Sequence, residues 1–233
     1  MKHIKHIAIA LFGGTGERFG APYPKQFVNL GGEPMLVVTL RGLSQCVDID
    51  EIYVVSHADS LDDTRNLIVA HQIKKIKAII KGGNTRQASS RLALEFLKKS
   101  GTPEDAIVLI CDGDRPCIDP QLIHDCFLAA EDNGASVAAV PCTDSVLLSR
   151  NGKHVDEYVP RKSVYLVQTP QAFLFRIIYK AHKNGKRKEV TDDASLLVGT
   201  KVKIAIVPGR ADNIKITVPD DVKAYLAWKD KKR

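Results

Sequence analysis

Four glycines, an arginine and a lysine crowd into the stretch "LFGGTGERFGAPYPKQF" (11–27). Gly13, Gly14, Gly16 and Gly20 let backbone N–H groups come close to an anion, and Arg18 and Lys25 neutralise it. The chemistry this suggests is phosphate binding, but by neither of the two common fingerprints. Gly14 and Gly16 are followed by Gly20, one place late for the dinucleotide signature GxGxxG, and His57 stands where the ribose of NAD would want an acid. A Walker loop is excluded because no GKS or GKT occurs anywhere. Two cations seven residues apart suit a departing pyrophosphate instead, since negative charge grows there as the bond to it breaks. Pro24 stiffens the approach to Lys25, and the Pro/Gly-framed loop argues against a mere surface lysine.

Elements that could hold such a loop follow from the apolar rhythm. "HIAIAL" (6–11), "EIYVVS" (51–56), "IKAII" (76–80), "AIVLIC" (106–111) and "SVAAVP" (136–141) are continuous apolar runs, the pattern of parallel strands buried on both faces. Helical periodicity fills the gaps at 34–45, 60–72, 85–99 and 119–133, the last opened by the capping pair Asp119-Pro120. The alternation predicts a doubly wound α/β sheet in one large domain. Between about 141 and 170 the rhythm breaks into strands around the turn "RNGK" (150–153), either a dimerisation arm or an antiparallel edge of the same sheet. Helical periodicity then returns, followed by a strand at 201–207 and a last helix opening at Pro219. Ligands of open α/β sheets bind beyond the carboxyl ends of the strands. Three features fall there: the glycine loop after the first strand, "GGNTR" after the third and "CDGDRP" after the fourth.

Composition narrows the field. Among 233 residues, 34 Lys+Arg against 27 Asp+Glu give a formal charge of +7, part of it in "KNGKRKE" (183–189) and "KDKKR" (229–233), both read as solvated runs. Aromatic residues do not interleave with the basic ones, so no nucleic-acid partner is expected; scattered cations fit a small polyphosphate better. No apolar stretch is long enough to span a membrane, and the basic-then-apolar start runs into a charged glycine loop rather than a cleavage site, so it reads as a buried strand. Five cysteines without a CxxC pair, and histidines without ligand spacing, argue against a disulfide framework and a zinc site and for a reducing cytosol.

The residues then resemble a known family. "GGTGERFG…PKQF" is similar to the signature GGxGxRMG…PKQ(F/Y) of the cytidylyltransferases that act on polyol phosphates. "GGNTRQASS" (82–90), "CDGDRP" (111–116), "PRKSVYLVQTPQAF" (160–173), "TDDAS" (191–195) and "GRADNIKIT" (209–217) echo the same family in order and spacing over essentially the whole chain. The resemblance implies one nucleotidyltransferase-like domain over 1–233, with a Rossmann-like, mostly parallel sheet and a protruding β-arm at about 141–170 through which two copies form a homodimer. The reaction it implies is CTP plus a polyol phosphate giving a CDP-polyol and pyrophosphate, with Mg²⁺, in the cytoplasm. Carried over by motif position, Arg18 and Lys25 would hold the triphosphate and stabilise the departing pyrophosphate. Lys215 would bridge the α-phosphate and the incoming phosphate, completing the catalytic set. Gly13, Gly14, Gly16, Gly83, Asn84 and Ser89 would contact cytosine and ribose, and Asp112 would sit against CTP as the metal ligand. Arg161 and Thr169 would reach across the dimer to the acceptor's phosphate, with Arg115 and Thr191 nearby.

The attacking phosphate oxygen is already an anion, so no general base or covalent nucleophile is needed; cations that lower the repulsion between two anions suffice. The chain departs from the family where HDAAR or HDAVR is replaced by "CDGDR" and where Phe12 stands for a small residue close to the base pocket. Asp114 is the added carboxylate, with three roles open: pairing with Arg115, binding an acceptor hydroxyl, or capping the helix that follows. "TDDAS", "GRADNIKIT" and "LVQTPQAF" look closer to the methylerythritol phosphate branch than to the ribitol phosphate branch. The favoured acceptor is therefore 2-C-methyl-D-erythritol 4-phosphate, with ribitol 5-phosphate or another alditol phosphate as the alternative. A non-catalytic nucleotide-binding protein on the same fold is the remote alternative, which the presence of Lys25, Lys215 and Asp112 disfavours.

Overall fold

A computed structural model of the chain describes residues 3–14, 19–20, 23–184 and 190–231. Arg18 and Gly16 of the glycine loop, the run 185–189 and the last two residues lie outside the described residues.

The apolar runs form β1 (His6–Phe12), β2 (Glu51–Ser56), β3 (Ile76–Lys81), β4 (Ile107–Asp112) and β5 (Gly134–Pro141). Helices α1 (Met35–Gln45), α2 (Leu61–Ala70), α3 (Arg86–Lys99) and α4 (Pro120–Asn133) alternate with them. A short hairpin follows, β6 (Val146–Leu148) and β7 (Glu157–Val159), then β8 (Tyr165–Leu174), α5 (Phe175–Asn184), β9 (Lys203–Pro208) and α6 (Pro219–Lys231). The main sheet has seven strands in the order β3-β2-β1-β4-β8-β5-β9. Every strand in it is parallel to its companions except β8, which runs antiparallel between β4 and β5.

Side-chain alternation along β1 builds two cores at once. Ala8, Ala10 and Phe12 face a layer made by α1 and α4, where Leu36, Leu40, Leu43, Cys126 and Phe127 are buried. Ile7, Ile9 and Leu11 face the other layer, where Ala93, Leu94 and Leu97 of α3 pack with Phe175 and Ile178 of α5. The doubly wound expectation is met. A third cluster ties the two chain ends together: Val28, Leu30 and Met35 pack against Ile216 and Tyr225 of the C-terminal segment. That cluster holds the segments bearing Lys25 and Lys215 in fixed relation.

The region 141–170 divides between a hairpin outside the main sheet and a strand inside it. Only β6 and β7 leave the main sheet, pairing with each other alone. β8 returns to the sheet's interior, not to its edge. Two glutamines of this strand are buried, and each is satisfied there. Gln171 donates to Asp192 Oδ2 at 3.1 Å and accepts from the Ala194 N–H at 3.1 Å. Gln168 donates to the Arg210 carbonyl at 2.8 Å and accepts from the Arg210 N–H at 3.1 Å. A buried polar side chain with its bonds made costs little.

Candidate active site

The strand order reverses between β1 and β4, the place where an open α/β sheet leaves a crevice beyond its carboxyl ends. A cavity of about 510 Å³ lies there. The loop after β1 supplies Gly13, Gly14, Lys25 and Gln26 to its wall, the start of α3 supplies Asn84, Arg86 and Ser89, and β4 and the C-terminal segment supply Asp112, Asp114 and Lys215. Three sequence features some hundred residues apart thus meet, as the periodicity predicts.

The glycines are there for close approach. A Cβ on Gly13 would lie 2.9 Å from Ser89 Oγ, and one on Gly83 would lie 2.6 Å from the Ala88 Cβ. Ser89 is buried, and its Oγ accepts from the Gly83 N–H at 3.1 Å, locking the two glycine segments together. Thr85 caps α3 by accepting from the Ala88 N–H at 3.0 Å, so the positive end of that helix opens on the cavity.

Charges alternate through the site. Arg86 Nε donates to Asp112 Oδ1 at 2.9 Å, and Lys215 Nζ donates to Asp112 Oδ2 at 2.7 Å. Lys215 Nζ is 3.8 Å from Asp114 Oδ1, and Lys25 Nζ donates to Asp114 Oδ2 at 2.6 Å and to the Ile216 carbonyl at 2.7 Å. Arg86 also donates to Asp193 at 2.6 Å, which in turn is bonded to the buried His182 at 2.9 Å. Burial alone would raise the Asp112 carboxyl, but Arg86 and Lys215 outweigh it and hold the group down at about 2. Asp112 is therefore a carboxylate at any working pH. Burial also works against the Arg86 charge, but its two carboxylate partners keep the guanidinium firmly protonated.

Two of the three roles open to Asp114 are not the ones it takes. It bonds Lys25 and approaches Lys215 rather than pairing with Arg115, and the cap of α4 is made by Asp119, which accepts from the Gln121 and Leu122 N–H groups. Arg115 points to the Asn213 carbonyl at 2.6 Å. Thr169, expected on the arm, is instead buried in β8, where its Oγ1 accepts from the Asp112 N–H at 3.1 Å. It therefore sits beneath the cavity of its own protomer. Arg161 lies on the exposed turn after β7, donating to the Thr143 carbonyl at 3.1 Å, and Thr191 is exposed; neither lines the cavity. Phe12 lines the cavity, as its position next to the glycine loop suggests.

Two residues of the charged chain carried no sequence signal of their own. Arg86 reads as an ordinary first-turn residue of α3, and Asp193 as one acid of a doublet. The order "GGNTR" with "TDDAS" held the hint, since an arginine beside a phosphate loop needs a counter-ion when buried.

The family model described as IspD, 2-C-methyl-D-erythritol 4-phosphate cytidylyltransferase, matches residues 6–227. The chain belongs to this family. It is an enzyme, a cytidylyltransferase. A 2-C-methyl-D-erythritol 4-phosphate cytidylyltransferase of Syntrophus aciditrophicus is 40% identical over 221 residues, covering 94% of this chain and 93% of that protein. A ribitol-5-phosphate cytidylyltransferase of Streptococcus agalactiae is 33% identical over 229 residues, covering 97% of this chain and 95% of that one. Among solved structures, 4-diphosphocytidyl-2C-methyl-D-erythritol synthase from Anaerococcus prevotii superposes with a TM-score of 0.84 at 30% identity, covering 97% of this chain and 96% of the other. The fold is thus that of a nucleotidyltransferase of the family.

Proposed function

We propose that the chain, a single cytidylyltransferase domain with its β-arm, transfers the cytidylyl group of CTP to 2-C-methyl-D-erythritol 4-phosphate, releasing pyrophosphate. The observation that carries this reading is the convergence of Lys25 and Lys215 on one cavity already walled by the glycine loop and the N-terminal end of α3. Identity is higher to the methylerythritol phosphate relative than to the ribitol phosphate one, which favours that acceptor.

Gly13, Gly14, Asn84 and Ser89 line the side on which base and ribose would lie, with Gly83 bonded to Ser89, and Gly16 is assigned to the same contacts by motif position alone. Lys25, with Arg18, holds the β- and γ-phosphates, where charge collects as the leaving group departs. Lys215 stands between the α-phosphorus and the acceptor phosphate. An oxygen of that phosphate attacks the α-phosphorus and the bond to the bridging oxygen of pyrophosphate breaks; no proton needs to move at the nucleophile. Arg161 of the other protomer binds the acceptor, with Arg115 and Thr191 near it outside the cavity wall, while Thr169 fixes the Asp112 backbone beneath them.

Asp112 fits Mg²⁺. It is an ionised, hard oxygen donor at the cavity wall, and Mg²⁺ is usually bound by one or two carboxylates plus substrate phosphates rather than by an all-protein cage. Consistent with that mode, no group of three or more His, Cys, Asp or Glu that could hold a metal occurs among the described residues. When bound, the ion screens the triphosphate charge against the incoming anion. By the family resemblance the protein works as a homodimer in the cytoplasm.

The test is pyrophosphate release from CTP and Mg²⁺ against methylerythritol 4-phosphate, ribitol 5-phosphate and other alditol phosphates. Turnover with the first is expected. Selective turnover of ribitol 5-phosphate would transfer the protein to the other branch, and CTP binding without pyrophosphate release would make it a nucleotide sensor. Lys25→Ala is expected to lose on the order of 10²-fold in rate, as when other transition-state donors are removed, and near-normal turnover would exclude that role.

A further inference from the structure

Among the described residues, Asp114 is the one carboxylate at the cavity wall that no step of the reaction uses. Its position is unusual for a structural ion pair. Lys25 is bonded to Asp114 Oδ2 at 2.6 Å, Lys215 stands 3.8 Å from Oδ1, and that Oδ1 is buried with no hydrogen-bond donor of its own. A carboxylate placed to tie down the fold would have both oxygens bonded. This one lies between the two ammonium groups that a triphosphate would have to reach, and all three side chains line the same cavity. The resulting row, Arg86, Asp112, Lys215, Asp114, Lys25, alternates in sign from one end to the other. The site neutralises its own cations.

We propose that Asp114 is a positioning residue that holds Lys25 and Lys215 in the place of a pyrophosphate group, and that the polyphosphate tail of the nucleotide binds by displacing it. The proposal rests on the reading of this cavity as a nucleotidyl-transfer site. Two consequences separate it from a plain salt bridge. The lysines are kept at the site in usable rotamers rather than free to swing into solvent. In exchange, polyphosphate binding is weakened, because the binding-competent arrangement is only a fraction of the population and the apparent Kd rises by the inverse of that fraction. The occupant that competes is a diphosphate or triphosphate; a nucleoside, or a monophosphate seated only at the glycine loop, does not contend for Lys25.

The experiment is titration calorimetry of the full chain with inorganic pyrophosphate, CTP and CMP, each with and without MgCl₂. Asp114→Asn keeps the shape and an acceptor for Lys25 while removing the charge, and Asp114→Ala removes both; thermal unfolding checks that each folds. If Asp114 holds the lysines nine-tenths of the time, Asp114→Asn binds pyrophosphate and CTP about tenfold more tightly, while CMP affinity stays unchanged. KM for CTP falls in the same ratio, and kcat falls with Asp114→Ala because released lysines are less well placed. Unchanged or weaker pyrophosphate binding by both variants overturns the proposal, as does a gain shared equally by CMP. Because pyrophosphate binding needs no acceptor, failure of the wild-type protein to use any polyol phosphate would overturn the proposed function alone. Normal turnover with unaltered pyrophosphate binding in the variants would overturn only the role of Asp114.

Discussion

A Cβ on Gly113 would sit 2.3 Å from two carbons of the Phe12 ring and 2.7 Å from the Leu11 carbonyl oxygen. The backbone cannot retreat, because the Gly113 N–H donates to that same carbonyl at 2.8 Å. Phe12 cannot easily retreat either, being 4% exposed and packed into the α1/α4 layer. Phe12 and Gly113 are therefore coupled: a ring at 12 requires no side chain at 113. The same ring lines the cavity, so the pair also sets its size. Gly113→Ala is expected to cost about 1–3 kcal/mol through overpacking, and Phe12→Ala about 3–5 kcal/mol through the space it leaves. Urea unfolding of both singles and the double variant should give a double cost smaller than the sum, with a coupling of about 0.5 kcal/mol or more. Strict additivity would mean that ring and Cβ never meet. Part of the Gly113→Ala cost persists in the double variant, since the Leu11 carbonyl stays where it is.

At the scale of elements, the first turn of α3, the end of β4 and the loop before Ala194 are joined by charge rather than by apolar contact. Arg86 spans Asp112 and Asp193, and His182 of α5 closes the row from the other side. Burial would push the Asp193 carboxyl up, but the bond from His182 and the nearby Arg86 charge hold it below its ordinary value of 3.8. A depressed carboxyl contributes stability that is whole above its unfolded pKa and lost as pH falls through the folded one. The wild-type protein should therefore lose stability below about pH 4, with Asp193→Asn showing a flatter profile there, measured by urea unfolding from pH 7 to 3. At pH 7, Asp193→Asn is expected to cost about 1.5–3 kcal/mol, because it removes the charge from a buried group bonded to half-buried Arg86 and to His182. A steep profile unchanged by the substitution would remove Asp193 from the account. This row marks the boundary of what sequence could tell. The apolar runs of β1 to β5 place the loops because period and burial are local properties, and they brought the glycine loop, "GGNTR" and "CDGDRP" to one cavity, whereas Lys215 came from the family resemblance alone. The partners of Arg86, Asp114 and Gln171 depend on side chains up to about a hundred positions away, which no periodicity encodes. The interior place of β8 escaped for the same reason: Gln168 and Gln171 are satisfied only by the distant loops carrying Arg210 and Asp192.

For the whole molecule, the arm poses the remaining question. An isolated two-stranded hairpin is marginal in water, and β6–β7 exposes Leu147, Leu148 and Tyr158, while the adjoining start of β8 exposes Tyr165, Leu166 and Val167. The start of β8 is also open on one side: Tyr165 to Val167 pair with β5, whereas pairing with β4 begins only at Gln171. An apolar surface beside an unpaired strand edge suits a second copy of the chain, docked about a twofold axis so that each arm reaches the other's cavity. Arg161 sits on this arm and is not among the residues lining its own protomer's cavity. Subunit mixing tests both ideas together. Arg161→Ala and Lys25→Ala homodimers should each be nearly inactive, one lacking the acceptor clamp at both sites, the other the leaving-group cation. A heterodimer of the two would place both lesions in one site and leave the other intact, if Arg161 serves the partner's cavity. After denaturation and refolding of an equal mixture, half the dimers are mixed and about a quarter of wild-type activity returns. If Arg161 serves its own cavity, every site in the mixture carries one lesion and nothing returns. Sedimentation of the wild-type chain as a monomer would remove the dimer itself, and with it any role for Arg161 in a partner's site.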